Sequence, residues 1–152
     1  MLKDYSAGNI KVFDEQVITD ILQKNPTTDG ILKCMQTSFP PDRADYFLKV
    51  LCVMFQEQLR NPIVRDYMSK HIILRAEMKV RTIIDVLKRL GVVRQDTDPD
   101  YWMKITSSIS YSFAVRMMLG IGDNMPDFTG RGMAEMHRST FELLFEKCGT
   151  GI

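Results

Sequence analysis

The chain has 152 residues, 45% of them hydrophobic and 26% charged, with a net charge of +1. That length and apolar content suit one domain over residues 1–152 with a sizeable core, and the balanced charge gives no footprint for nucleic acid or a membrane surface. No apolar run reaches the roughly 20 residues that span a bilayer, Met1-Leu2-Lys3-Asp4 lacks the parts of a signal peptide, and the odd, scattered Cys34, Cys52 and Cys148 read as free thiols of a reducing, cytoplasmic compartment.

The pattern predicts an all-α bundle of about six helices. The first spans 2–24, with Ile10, Phe13, Val17 and Ile21 at helical spacing, and Asn25-Pro26 stops it. Thr27-Thr28-Asp29 offers an N-cap for a short helix ending near Ser38, whose buried face is Ile31, Leu32 and Met35. Pro40-Pro41-Asp42 opens a third helix. Between Tyr46 and Phe55 only Lys49 interrupts its apolar residues, so it is expected at the centre of the domain.

Asn61-Pro62 starts the longest helix, which runs to about Leu90. Val64, Met68, Ile72, Ala76, Val80, Ile83, Ile84 and Leu87 form its apolar stripe, Asp66, Lys70, Glu77, Arg81, Asp85 and Lys88 fall on the opposite side, and Gly91 supplies the stop. After a short charged loop, Asp98-Pro99 caps a fifth helix reaching about Leu119. The segment 120–132, with four glycines and Pro126, reads as a mobile loop. A last helix is expected over 133–147, followed by a frayed tail at 149–152. No period-2 alternation persists long enough for a strand.

Recognisable catalytic chemistry is missing. His71 and His137 are far apart in sequence with no cysteine near either, and no Cys-x-x-Cys or His-x-x-x-His occurs, so no metal or other cofactor is expected. Gly120-Ile121-Gly122 lacks the third glycine of a dinucleotide loop, and neither a nucleophile elbow nor a phosphate loop is present. The chain therefore reads as a binding protein, not an enzyme.

The candidate binding site lies between the short helix, the apolar helix and the long helix. Its lining is Met35, Phe39, Phe47, Leu51, Met54, Phe55, Met68 and Met78, with Tyr67, His71 and Arg75 as polar contacts. Flexible, polarisable methionines suit guests of varied shape. Tyr67, His71 and Arg75 are four residues apart and share one side of an α-helix. The competing account is a solid core in which Arg75 pairs with an internal carboxylate such as Glu57 or Asp66. The fifth helix carries two apolar faces: Trp102, Ile105, Ile109 and Phe113 on one, Tyr111, Val115 and Met118 on the other. Two such faces exceed the need of one core and point to a dimer.

The run Asn61-Pro62-Ile63-Val64-Arg65, the long helix with Arg75, and the stretch from Gly91-Val92-Val93-Arg94 through Gln95-Asp96-Thr97-Asp98-Pro99-Asp100 make the chain resemble the C-terminal effector-binding and dimerisation domain of TetR-family transcriptional regulators. The resemblance covers nearly the whole length, and its motifs are moderately specific. It implies a ligand-controlled repressor half that binds a largely apolar small molecule. The last two helices would form a four-helix bundle with a second copy in a homodimer, with Trp102, Tyr111, Val115, Met118, Met136, Thr140, Phe141 and Leu144 at the interface. Nothing in this sequence corresponds to the family's helix-turn-helix unit, so contact with DNA would come only through a unit missing from this chain. The alternative is a helical carrier that sequesters an apolar small molecule without signalling.

Overall fold

In a computed structural model, which describes residues 7–37, 44–119 and 134–151, the chain is all-helical. The helices are α1 (Ala7–Lys24), α2 (Thr28–Gln36), α3 (Ala44–Glu57), α4 (Pro62–Tyr67), a π-helical segment (Met68–Ile73), α5 (Leu74–Arg89), α6 (Pro99–Met118) and α7 (Arg138–Cys148). The expected glycine loop at 120–132 lies outside the described residues, as do the first six positions.

Local chemistry explains most boundaries. The Thr27 hydroxyl accepts the Gly30 amide at 3.4 Å and caps α2. Gly30 is required for a second reason: a Cβ there would stand 1.8 Å from the Asn25 carbonyl oxygen, where the α1–α2 turn passes. Asn61 Oδ1 accepts the amides of Ile63 and Val64, and Pro62 occupies the first turn of α4. Gly91 ends α5 with φ +71°. Its own amide bonds Lys88 O, and Val92 N bonds Leu87 O, a Schellman arrangement. Asp98 Oδ1 accepts the Asp100 amide at the start of α6.

α4, the π segment and α5 form one long rod, and α5 is its hub. It packs against α6 on one side and α1 on another, while α2 packs against α1 and α7. The core lies around the second half of α5. Ile83, Ile84, Val86 and Leu87 meet Ile18 and Leu22 of α1, Ile31 and Leu32 of α2, Trp102 of α6, and Phe141 and Leu144 of α7. The α1 stripe Val17–Ile21 flanks this core, and the fully buried pair is Ile18 and Leu22, one residue on. Both pairs have helical spacing, so periodicity alone does not separate them.

Two expectations are corrected. The apolar helix α3 is peripheral: it packs chiefly against α4 and α6, and none of its described side chains belongs to the core cluster. Tyr46, Lys49, Val53 and Gln56 form an exposed stripe along it, and Leu51, Met54 and Phe55 form a half-buried one. The interior is already filled by side chains of α1, α2, α5, α6 and α7, which leaves α3 only one face to cover. The tail is also anchored. Gly149 pairs with Val93 in an isolated antiparallel bridge, Arg94 N bonds Cys148 O at 2.9 Å, and Thr150 bonds Gly91 O and Val92 O.

Candidate functional site

The two ends of the bundle differ in closure. The second half of α5 sits in a sealed core. The other end, built from α3, α4, the π segment and the last two turns of α6, holds mostly half-buried apolar residues. Leu51, Met54, Phe55, Tyr67, His71 and Met78 are all partly exposed, and Met68, 1% exposed, is buried outside the main cluster. Most of the expected lining gathers at this end. Met35 does not, because it packs onto the core with α2. Phe39 and the side chain of Phe47 lie outside what the structure describes.

A π-helical segment, Met68–Ile73, with i→i+5 turns, runs through the polar row. The Tyr67 and His71 rings remain together, with centroids 4.8 Å apart. Arg75, first turn of α5, lies exposed. It is therefore not the arginine of a solid core that the competing account requires.

A different polar ladder joins the rod to α6. Arg81 pairs with Asp100, and one turn back along α5 Glu77 Oε1 accepts the Ser107 hydroxyl at 3.1 Å. One turn further along α6, Tyr111 meets Phe55 of α3 edge-on, with centroids 5.7 Å apart. Partial burial first, and then the nearby Glu77 charge, raise the Tyr111 pKa above its ordinary value. Glu77 is half-buried and Arg81 exposed on the side of α5 opposite its apolar stripe, and both reach across to α6.

Three buried polar groups complete the picture. Lys79, 8% exposed, donates to Thr37 Oγ1 at 2.8 Å and ties the end of α2 to α5. Burial pushes the Cys34 thiol up to about 11, so it stays protonated and inert at neutral pH. His137, 3% exposed, shares a 3.2 Å hydrogen bond between Nε2 and the Ser110 hydroxyl, while Nδ1 has no partner among the described residues. Serine beside histidine has the outline of a nucleophile and its base. Here, however, no group orients the ring through Nδ1, and burial holds the imidazole down at about 4, a weak base at pH 7. The pair reads as a packing contact between α6 and the turn before α7.

The residues expected at a dimer face divide sharply. Trp102, Thr140, Phe141 and Leu144 are buried within the single chain, the last two at 0% exposure, so they are corrected from interface to core. Met118 and Met136 are half-buried. Tyr111 and Val115 are exposed, as are Leu119 and Leu143. Of the two apolar faces of α6, the Trp102–Phe113 face is therefore the core face.

No group of His, Cys, Asp and Glu among the described residues could hold a metal ion, and no described helix is long and apolar enough to cross a membrane. Comparisons with protein-family models, with curated proteins and with solved structures find no match to the chain.

Proposed function

We propose that this chain is the effector-binding and dimerisation domain of a TetR-like, ligand-controlled regulator, and that it takes a largely apolar small molecule at the half-closed end of the bundle. One observation carries the reading. The single rod from Pro62 to Arg89 has adaptable, half-buried side chains and a π-helical break at one end, and the buried face of α1 at the other. Single-turn π insertions are frequent at functional sites, and methionine-rich surroundings re-pack around guests. A ligand that favours one setting of the rod at residues 67–73 would move its contacts with Ile18 and Leu22 and bias the position of α1. That is how a binding free energy becomes a signal. Arg89, which pairs with Glu15 at 3.2 Å, lies on the same route. Dimerisation would use the outer face of α6 around Val115 and Leu119, since the inner face is closed in the core.

The test is titration with the neutral apolar probe N-phenyl-1-naphthylamine, together with amide hydrogen exchange. The expected result is saturable binding near one site per chain, a raised melting temperature, and altered exchange in α1. Saturable binding that leaves α1 unchanged would favour a carrier without signalling. Fluorescence rising linearly without saturation would remove the binding reading.

A further inference from the structure

The turn between α3 and α4 puts two aliphatic side chains almost wholly in water. Leu59 is 79% and Ile63 76% exposed, the two highest values among the described large hydrophobics. Every residue from Leu59 to Arg65 except Val64 is exposed. The backbone here is nonetheless held. Gln58 N bonds Met54 O, Asn61 N bonds Glu57 O at 2.8 Å, and Asn61 Oδ1 caps the first turn of α4. Arg65 Nε donates to Gln58 O at 3.1 Å, which ties its side chain across the turn. A bonded corner therefore presents the two aliphatic groups, with Arg60 next in the chain to Leu59 and the Arg65 side chain tied to Gln58 on its other side. Residues 46–70 carry four basic side chains, Lys49, Arg60, Arg65 and Lys70, against two acidic ones, Glu57 and Asp66, whereas the net charge of the whole chain is +1. Asp66 pairs with Lys70 at 2.8 Å and Glu57 is half-buried, so Arg60 and Arg65 supply the outer charge of the corner.

We propose that this corner docks on an anionic lipid surface, with Leu59 and Ile63 entering the headgroup layer and Arg60 and Arg65 against the lipid phosphates. Shape favours lipid over protein. A protein interface of ordinary stability buries about 800 Å² on each partner, far more than a corner with two aliphatic groups offers. An interfacial anchor instead inserts a few large apolar groups a short way below a charged surface. Lasting peripheral binding takes two signals together, and aliphatic groups and cations stand here within seven residues of one another. The near-neutral total charge conceals this local excess. No described helix is long and apolar enough to cross the bilayer, so the described residues offer it surface contact only. The docking does not depend on any guest within the bundle.

The test is co-sedimentation of the full chain with vesicles of equal parts phosphatidylglycerol and phosphatidylcholine, and with vesicles of phosphatidylcholine alone. Each arginine beside an anionic surface is worth roughly fivefold in affinity, so the neutral vesicles are expected to bind at least about tenfold more weakly. Arg60→Glu, which reverses one of the charges, is expected to weaken binding to the mixed vesicles by roughly tenfold or more. Leu59→Ser combined with Ile63→Ser is expected to weaken it at least about tenfold with the melting temperature unchanged, because neither side chain is buried in the fold. Tyr101→Ser, at a 55% exposed position at the start of α6, is expected to bind as the wild type does. No binding to the mixed vesicles, equal binding to both kinds, or an unchanged affinity in the double serine variant would overturn the proposal. An equal loss in Tyr101→Ser would do the same. Binding lost in Arg60→Glu but kept in the double serine variant would point to a soluble acidic partner and would equally remove the lipid assignment.

Discussion

Acidification should unlock the contact between α6 and the turn before α7. His137 is 3% exposed, with one ring nitrogen on Ser110 and the other without a partner among the described residues. Protonation would give a buried imidazolium with an N–H that has no acceptor. Desolvation accordingly lowers its pKa from 6.5 to about 4. The folded state holds the proton less tightly than the unfolded chain, so between those two values the unfolded state binds more protons. The associated stability is fully present above pH 6.5 and is lost as the pH falls through 4. The interval is about two and a half pH units at about 1.4 kcal/mol each, a loss of about 3 kcal/mol. That is a large fraction of the 5–15 kcal/mol typical of a domain. Carboxylates also titrate in this range, so the assay is a difference. Urea unfolding of the wild type and of His137→Leu is followed by circular dichroism at pH 7 and pH 4. Leucine fills much of the space, and the exposed Ser110 hydroxyl turns to water. The variant should lose about 3 kcal/mol less than the wild type over this interval. Equal losses in the two proteins would refute the argument that the buried ring resists its proton.

Two further outcomes follow from packing. Gly30→Ala places a methyl group 1.8 Å from a backbone oxygen that cannot move without shifting the α1–α2 turn. It should destabilise by about 2 kcal/mol or more and lower the melting temperature by roughly 4–8 °C in a scanning calorimeter, and a change under 1 °C would count against that close approach. Phe141→Ala empties a site at 0% exposure and should cost about 3–5 kcal/mol, whereas Val53→Ser on the exposed stripe of α3 should stay within about 0.5 kcal/mol. Chemical denaturation of both variants checks this, and a large loss in Val53→Ser would return α3 to the interior.

Most helix ends were legible in the sequence, although the last helix begins at Arg138 and not at 133. The caps at Thr27, Asn61 and Asp98 and the left-handed Gly91 act within a few residues of themselves, so local chemistry is enough to read them. It also carried the composition of the core, since Leu32, Ile83, Ile84 and Leu87 were legible from spacing alone. Which apolar surface became interior was decided only by tertiary packing. α3 is among the most apolar segments yet lies outside, because a helix with no polar face does not say which neighbour will cover it, and five other elements had filled the centre. Trp102, Phe141 and Leu144 look the same in sequence whether they face a partner or their own core. The π segment Met68–Ile73 left no sign in the four-residue spacing of Tyr67, His71 and Arg75, which suits an α-helix as well. Pairs such as Glu77 with Ser107 and Ser110 with His137, 30 and 27 residues apart, left no local signal. Only the antiparallel packing of α5 on α6, and of α6 on the turn before α7, brings them within hydrogen-bond reach.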